Sequence, residues 1–334
     1  MRKPPYVIWL LIMLASWSCD RGEKTGTSSE RTMPARTLSS ARTLDDIFKV
    51  KTEIPLELTG ESALAAMTDM AVDAKGNFIV ADGVRLNRVW VFSPEGKFLR
   101  ILGATGQGPG EYSSPLSVTV DRRGEILVND YFTMKIIFYD RDYEYKRDLK
   151  TIRGHYLHVD HSDRIYLYEG MVPPMARGAF DTIKALDQTG KLAFSFAPLP
   201  ETALKIRFSR LADGMDIDRN DQIYEMNSLY YQVRKYTPAG ELIRSFDNPD
   251  VRSTAKTGER PPLLNGPFCL DRGIVLVQRE DVLDLYDNEG NLIVSGIPCA
   301  HKLINAQGNT IYLEAWEDTG PQEKQSNPTI IRYH

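Results

Sequence analysis

Apolar stretches of strand length follow one another along most of this chain, and short polar turns separate them. The segment from Met70 to Leu102 shows the unit, in which four apolar stretches alternate with polar turns such as Asp73–Gly76 and Ser93–Gly96. An Asp at a strand end accepts hydrogen bonds from backbone amides two residues on, and Gly accepts a positive φ. The pattern therefore predicts four consecutive antiparallel strands joined by tight turns.

The same unit recurs through the chain. The first turn occurs six times, at residues 73–76, 120–124, 159–163, 217–221, 270–273 and, more weakly, 305–308. The second turn recurs at residues 139–143, 186–190, 236–240 and 286–290. A repeated unit of four short strands indicates radial repetition around an axis. We therefore predict an all-β fold, a six-bladed β-propeller with four-stranded antiparallel blades.

The sixth repeat lacks its outer strand, because the sequence ends at His334 directly after the apolar stretch Thr329–Tyr333. A candidate for the missing strand lies near the other end, between Ile47 and Leu58. An N-terminal strand in the last blade would close the ring and leave no long exposed sheet edge. We predict that the last blade is closed in this way and that residues 44–334 form the propeller.

Connections of such a propeller fall on two faces. The first-to-second and third-to-fourth connections on one face consist almost entirely of the tight turns. The other face, which we call the long-loop face, carries the insertions at residues 103–115, 169–179, 197–208, 247–265 and 315–328. Because binding residues concentrate on loops held by a rigid frame, the long-loop face is the predicted functional surface.

The run Gly103 to Tyr112, which ends Gly-Pro-Gly-Glu-Tyr and is followed by Pro115, resembles the inter-blade signature of NHL-repeat propellers. The whole chain after its N-terminal segment is similar to NHL-like six-bladed propeller lipoproteins of bacteria. This resemblance implies the fold and export from the cytoplasm. It implies little about biochemistry, because propellers host lyases, lactonases, sugar binders and scaffolds alike.

The overall charge limits the partners. Hydrophobic residues make up 42% of the 334 residues, enough for a large core, and the formal net charge is -4. A nucleic-acid-binding protein normally carries a surplus of basic residues, so no nucleic-acid partner is predicted.

The N-terminal segment predicts export and a membrane anchor. Arg2 and Lys3 precede an apolar run from Tyr6 to Ala15, and Cys19 follows the small residue Ser18. This order resembles a lipoprotein signal peptide over residues 1–19, with Cys19 as the lipidated residue; the alternative is an ordinary cleaved secretory signal. Residues 20–43 are polar and predict a flexible tether. The expected location is the bacterial cell envelope, facing either the periplasm or the outside.

Cys269 and Cys299 are the other cysteines, and both fall where innermost strands of adjacent blades are predicted. An exported protein permits a disulfide, but the separation of the blades would keep the sulfur atoms apart. The sequence allows either two buried thiols or one disulfide between Cys269 and Cys299.

Candidate binding residues lie where second strands end and where inner strands begin on the long-loop face. They combine aromatic rings, carboxylates, amides and arginines, which would suit a glycan, a peptide or a partner protein. The set is Asp82, Arg85, Asp130, Tyr131, Glu169, Arg210, Asn227, Tyr230, Arg279 and Trp316. The simpler interpretation is that many of these side chains brace loops or face water.

Catalytic chemistry is the alternative. His155 and His301 are the candidate metal ligands, but a zinc site needs a third ligand with recognisable spacing, and a calcium site would need acids such as Glu169 and Asp130 to converge on the channel. No cofactor is predicted, with calcium or zinc reserved for the alternative. We expect a lipid-anchored binding or scaffold module for a glycan, peptide or partner protein. The alternative is a metal-dependent lyase or lactonase-type hydrolase with its site at the mouth of the central channel.

Overall fold

The computed structural model describes residues 38–57, 64–170, 180–199, 214–227, 231–251, 264–316 and 328–334. Their strands form six four-stranded antiparallel sheets, so the predicted six-bladed propeller is confirmed. Five sheets are made of four consecutive strands, and the sixth takes its outermost strand from the N-terminal part of the chain. Among these residues, no helix is long and apolar enough to cross a membrane.

The strands follow the predicted order, from the innermost to the outermost in each blade. Blade 1 contains β2 (Asp69–Val72), β3 (Phe78–Asp82), β4 (Arg88–Phe92) and β5 (Phe98–Ile101). A two-stranded ribbon of β6 (Ala104–Thr105) and β7 (Glu111–Tyr112) leads to blade 2. Blade 2 contains β8 (Pro115–Val120), β9 (Ile126–Asp130), β10 (Lys135–Tyr139) and β11 (Tyr145–Lys150). Blade 3 contains β12 (Tyr156–Val159), β13 (Ile165–Tyr168), β14 (Asp181–Leu186) and β15 (Leu192–Pro198).

The second half repeats this arrangement. Blade 4 contains β16 (Gly214–Ile217), β17 (Ile223–Asn227), β18 (Gln232–Tyr236) and β19 (Leu242–Asp247), and blade 5 contains β20 (Leu264–Leu270), β21 (Ile274–Arg279), β22 (Val282–Asp287) and β23 (Leu292–Pro298). Blade 6 contains β24 (Lys302–Gln307), β25 (Thr310–Ala315), β26 (Thr329–Tyr333) and, outermost, β1 (Lys51–Pro55). Each innermost strand contacts the innermost strands of both neighbouring blades, so the ring is closed.

The closing strand β1 pairs antiparallel with β26, with Ile54 opposite Ile330 and Pro55 opposite Thr329. Hydrogen bonds join Val50 and His334 in both directions, at 2.9 and 3.0 Å. Hydrogen-bonded and non-hydrogen-bonded residue pairs alternate along an antiparallel ladder. Pro55 lies five residues from the hydrogen-bonded Val50, so its nitrogen faces away from β26 and would donate no ladder bond. Proline is therefore tolerated there. The carbonyl oxygen of Pro55 would lie 2.1 Å from a Cβ on Gly96, whose φ is +87°, so only glycine fits in the facing turn of blade 1.

The packed chain begins earlier than the predicted boundary at residue 44. Leu38 and Ala41 are buried against blades 5 and 6, together with Leu44 and Phe48. A 3-10 turn at Leu44–Asp46 lies within this segment. The last residues of the predicted tether are therefore part of the propeller core. The predicted lipidation site at Cys19 and the rest of the predicted tether lie outside the described residues.

The polar turns behave as their composition predicts. Asp73 Oδ1 accepts hydrogen bonds from the backbone nitrogens of Lys75 and Asn77, each at 2.8 Å. Asp121, Asp160, Asp187, Asp218 and Asp287 accept the same two bonds in their turns. The core is divided among the interfaces between blades, with one apolar cluster at each of the six. Each blade therefore buries its apolar side chains against both neighbouring blades.

Candidate functional site

The Gly-rich run between blades 1 and 2 is fastened to the framework. Tyr112 donates a hydrogen bond from its hydroxyl to the Leu102 carbonyl at 2.6 Å. The buried Lys135 donates to the Gly108 carbonyl at 2.7 Å and lies 3.0 Å from Asp148. These contacts use polar groups of the Gly-rich run to hold the crossing between blades.

Second strands end on the long-loop face with a polar residue in every blade. The six equivalent positions hold Asp82, Asp130, Glu169, Asn227, Gln278 and Glu314. All but Asn227, whose side chain is outside the described set, are buried. The contacts of each side chain show whether it holds the framework or is available to a ligand.

Asp82 and Asp130, both predicted binding residues, hold loops. Asp82 accepts backbone hydrogen bonds from Ala65 and Ala66, at 3.1 and 3.2 Å, and from the turn that follows it. Asp130 accepts bonds from the backbone nitrogens of Ser113 and Ser114, each at 2.8 Å. Both carboxylates are fully buried and are occupied on both oxygens, so each positions the loop that enters an inner strand.

Gln278, which sequence reasoning did not single out, has the same task in blade 5. Its Oε1 accepts a bond from the Leu303 nitrogen at 2.7 Å, and its Nε2 donates to the His301 carbonyl at 2.7 Å. In blade 6, Glu314 accepts a hydrogen bond from the Trp316 indole and lies 3.6 Å from the Lys302 ammonium. Trp316, a predicted binding residue, is therefore half-buried beside a strand end.

Arg279 faces a buried carboxylate. Its Nε lies 3.5 Å from Asp284 Oδ2, and Asp284 also accepts hydrogen bonds from Tyr231, Asn248 and Ser295. Burial raises the pKa of Asp284, but these hydrogen bonds outweigh it and hold the pKa below its ordinary value. The guanidinium is thus partly committed to a network between blades 4 and 5.

The remaining predicted residues are distributed unevenly. Arg85 is exposed at the turn after β3. Arg210 and Tyr230 lie outside the described residues, and only the backbone of Asn227 is described.

Tyr131 and Glu169 are brought together between blades 2 and 3. The Glu169 Oε1 atom lies 2.7 Å from His155 Nδ1, and the His155 ring lies 4.6 Å from the Tyr131 ring, centroid to centroid. The Arg153 guanidinium lies 5.1 Å from the centre of the Tyr131 ring. Lys184 donates a hydrogen bond to the Arg153 carbonyl at 3.3 Å. We call Tyr131, Phe132, Arg153, His155, Glu169, Phe180 and Lys184 the blade 2–3 cluster.

Burial and charge alter the pKa values in this cluster. Burial raises the pKa of Tyr131, and the nearby Glu169 charge raises it further. Burial lowers the pKa of Lys184, which the Glu169 charge opposes only in part. Phe132 is 66% exposed at the edge of the cluster, and its ring meets Tyr131 in a T-shaped arrangement. The cluster therefore offers aromatic surface beside positive charge. Sequence reasoning missed Arg153 and Lys184, although a lysine within the apolar strand β14 was a usable signal.

The propeller channel is a cavity of about 570 Å³ lined by the innermost strands of all six blades. Asp69 and Asp216 line it from blades 1 and 4, which are opposite in a ring of six, and neither was predicted. Burial raises the pKa of Asp69 to about 6 and that of Asp216 to about 7. His158 Nδ1 lies 3.7 Å from Asp216 Oδ1, and burial lowers the pKa of His158 to about 4.

These channel acids also connect blades. Asp69 Oδ2 accepts hydrogen bonds from the Ser117 hydroxyl at 2.6 Å and the Val118 nitrogen at 3.0 Å, both in blade 2. Asp216 Oδ2 accepts a bond from the Cys269 nitrogen in blade 5 at 2.8 Å. Each innermost strand has one edge without a partner strand, so side chains of the next blade satisfy some of its backbone groups.

The two candidate metal ligands are in different surroundings. His155 contacts Glu169, whereas His301 is exposed at the channel mouth in blade 6. Within the described parts of the chain, no three His, Cys, Asp or Glu side chains are grouped to hold a metal ion. Cys269 lies on β20 and Cys299 precedes β24, which corrects the placement of Cys299 on an innermost strand; both are free, buried thiols with raised pKa values because of burial.

Comparison with protein families supports this architecture. The model of the family DUF5128, described as a six-bladed β-propeller, matches residues 23–171. A search of curated proteins found no similar sequence.

Solved structures share the fold at low sequence identity. A protein from Bacteroides fragilis that is described as exported is 12% identical, with 85% of this chain and 95% of that chain covered and a TM-score of 0.57. A virginiamycin B lyase from Staphylococcus aureus is 11% identical, with 83% of each chain covered and a TM-score of 0.54. A gluconolactonase from Xanthomonas campestris is 13% identical, with 84% and 97% covered and a TM-score of 0.52. At such identities the similarity concerns the fold.

Proposed function

We propose that this chain is an exported, lipid-anchored binding module that holds a glycan, peptide or partner protein on its long-loop face. The N-terminal pattern ending in Cys19 supports the location. The tether would hold the propeller away from the membrane surface. The lyase and lactonase activities of two structural neighbours do not carry over, because 11–13% identity reflects the fold.

One observation carries the binding role. On the long-loop face, Phe132 is 66% exposed and Val84 is 65% exposed at the equivalent turns of neighbouring blades. The Phe132 ring meets the Tyr131 ring, and the Arg153 guanidinium lies 5.1 Å from the centre of the Tyr131 ring. Aromatic rings beside a cation are typical of the residues that dominate binding surfaces. The buried Asp82 and Asp130 make this surface rigid by fixing the loops behind it.

Replacing Phe132 with alanine is expected to weaken ligand binding about tenfold, because loss of an aromatic contact costs ~1.4 kcal/mol. The full chain would be screened against glycan and peptide arrays, and the affinity for the best ligand measured by calorimetry. Leu242→Ala is the matched control, since Leu242 is 57% exposed on the outermost strand of blade 4. Equal affinities of Phe132→Ala and the parent protein for every ligand found would contradict this site.

Replacing Cys19 with serine is expected to move the protein from the membrane fraction to the soluble fraction and to abolish labelling with a radioactive fatty acid. Serine cannot form the thioether, and acyl chains contribute about 0.8 kcal/mol per buried CH2 to membrane binding. Ser18→Ala, which keeps a small residue before the cysteine, is the control and should retain both properties. A Cys19→Ser protein that remains membrane-bound would contradict the anchor.

A metal-dependent lyase or lactonase-type hydrolase at the channel mouth is the second candidate. Its one supporting observation is that Asp69, His158 and Asp216 line one cavity with shifted pKa values, although the described side chains form no group of three metal ligands. Stoichiometric calcium or zinc in the purified protein, lost on Asp216→Ala, would favour this candidate over the binding module.

A further inference from the structure

We infer that the blade 2–3 cluster binds an anionic sugar, with the acidic group of the sugar between Arg153 and Lys184 and the ring against Tyr131 and Phe132. This inference rests on the proposed binding function and names its ligand class. Its basis is the juxtaposition of two cations and two aromatic rings in one cluster, in which Phe132 and Arg153 are exposed and Tyr131 and Lys184 are half-buried.

The two cations have no carboxylate partner among the described residues, for neither Arg153 nor Lys184 lies within 4.0 Å of a described carboxylate oxygen. Lys184 instead donates to the Arg153 carbonyl and lies 5.5 Å from the centre of the Phe180 ring. A half-buried ammonium without a close counter-ion is costly, and an anion from a ligand would relieve that cost.

The one acid of the cluster does not neutralise both cations. Glu169 is buried, and its Oε1 atom lies 2.7 Å from His155. The cluster therefore holds two cations, one carboxylate and one histidine, which leaves an excess of positive charge on this part of a protein whose overall formal charge is -4. An arginine fork accepts a carboxylate or a sulfate through two parallel hydrogen bonds.

The aromatic rings favour a sugar over an acidic peptide. Tyr131 and Phe132 meet at 5.7 Å with their rings 69° apart. Arg153 and His155 also contact the Tyr131 ring, so the 66% exposed Phe132 ring provides most of the open aromatic surface. A sugar ring packs its C–H face on such rings. Extended peptides gain affinity by adding a strand to a sheet edge, but the long-loop face presents strand ends, so this mode has no template here.

The test uses matched galactose-based probes with the full chain. Calorimetry would compare trigalacturonate, which carries carboxylates, a sulfated carrageenan oligosaccharide and a neutral galacto-oligosaccharide of the same length, with a poly-glutamate peptide as a fourth probe. We expect at least one acidic sugar to bind at least tenfold more tightly than the neutral sugar, and its affinity to fall as salt rises. The carboxylate and sulfate probes show which acid is preferred.

Variants assign the effect to the cluster. Arg153→Ala should abolish the preference for the acidic sugar, Arg153→Lys should restore part of it, and Lys184→Met should reduce it independently. Arg100→Ala is the matched control, because Arg100 is a half-exposed arginine on the outer strand of blade 1. If acidic and neutral sugars bind with equal affinity and Phe132→Ala weakens both, the proposal of an anionic ligand is wrong and the proposal of a binding module stands. Binding of poly-glutamate alone would also overturn it, and binding of no probe or array ligand at this face would remove both proposals.

Discussion

Replacing Glu225 with alanine is expected to lower the free energy of unfolding by about 3–5 kcal/mol, because it leaves the Arg234 guanidinium buried without its counter-ion. The two side chains form a bidentate pair inside blade 4, with Arg234 Nε 2.9 Å from Glu225 Oε2 and Nη2 3.0 Å from Oε1. Glu225 is fully buried. Burial would lower the pKa of Arg234, but the Glu225 charge raises it above its ordinary value, so the arginine is charged at neutral pH.

The pair also joins two blades, which adds to the expected loss. Arg234 Nη1 donates to the Pro198 carbonyl at 2.7 Å, and the Thr182 hydroxyl lies 3.3 Å from Glu225 Oε1; both partners belong to blade 3. In Glu225→Ala these contacts lose the carboxylate that fixes the guanidinium, so we expect the interface between blades 3 and 4 to weaken.

Urea unfolding followed by tryptophan fluorescence measures this loss. The control is Glu289→Ala, which removes an exposed carboxylate 3.8 Å from Arg244 and should change the free energy of unfolding by less than about 1 kcal/mol. A double variant, Glu225→Met with Arg234→Leu, should recover much of the loss, since it buries no unpaired charge. A single variant as stable as the parent protein would show that the pair is not closed in solution.

The fold was predictable because its signals are local. Turns such as Asp73 to Gly76 are held by hydrogen bonds between residues close in sequence. One such turn is weak evidence for a fold, but six copies along the chain indicate a repeat. The closing strand was predictable for a different reason, since the sixth repeat lacked an outer strand and Ile47 to Leu58 was a candidate for it near the other end of the sequence. The early start at Leu38 was missed, because two buried residues within a polar segment give no periodicity.

The candidate site was harder to predict, because its partners are distant in sequence. Asp82 and Asp130 followed the expected pattern of acids at strand ends, yet they hold loops 16–17 residues earlier in the chain. Tyr131 and Glu169 were correctly placed on the long-loop face, but nothing in the sequence showed that Lys184 would approach Arg153. The side chain of a charged residue inside a strand is usually solvent-exposed, and only packing reveals the exceptions.

Replacing Ile54 with aspartate is expected to destabilise the protein by about 4 kcal/mol or more, and this is the sharpest test of how the ring closes. Ile54 is 4% exposed and packs in the apolar cluster between blades 6 and 1 with Leu56, Phe92 and Ile330. Its burial contributes about 1.5–3 kcal/mol, and an aspartate there must be either desolvated as an anion or protonated.

Val50→Asp is the matched control within the same segment. Val50 is 51% exposed, and its contribution to the closing ladder is made by its backbone, which bonds to His334 in both directions. A carboxylate at this position keeps those bonds and stays in water, so we expect a change within about 0.5 kcal/mol. Thermal unfolding and limited proteolysis would follow both variants. If β1 closes the ring, Ile54→Asp should be cleaved first between Leu38 and Leu56, because the released strand is the accessible one. Equal stability of the two variants would mean that β1 does not complete blade 6 in solution. The interface between blades 6 and 1 would then be held by apolar contacts other than those of Ile54.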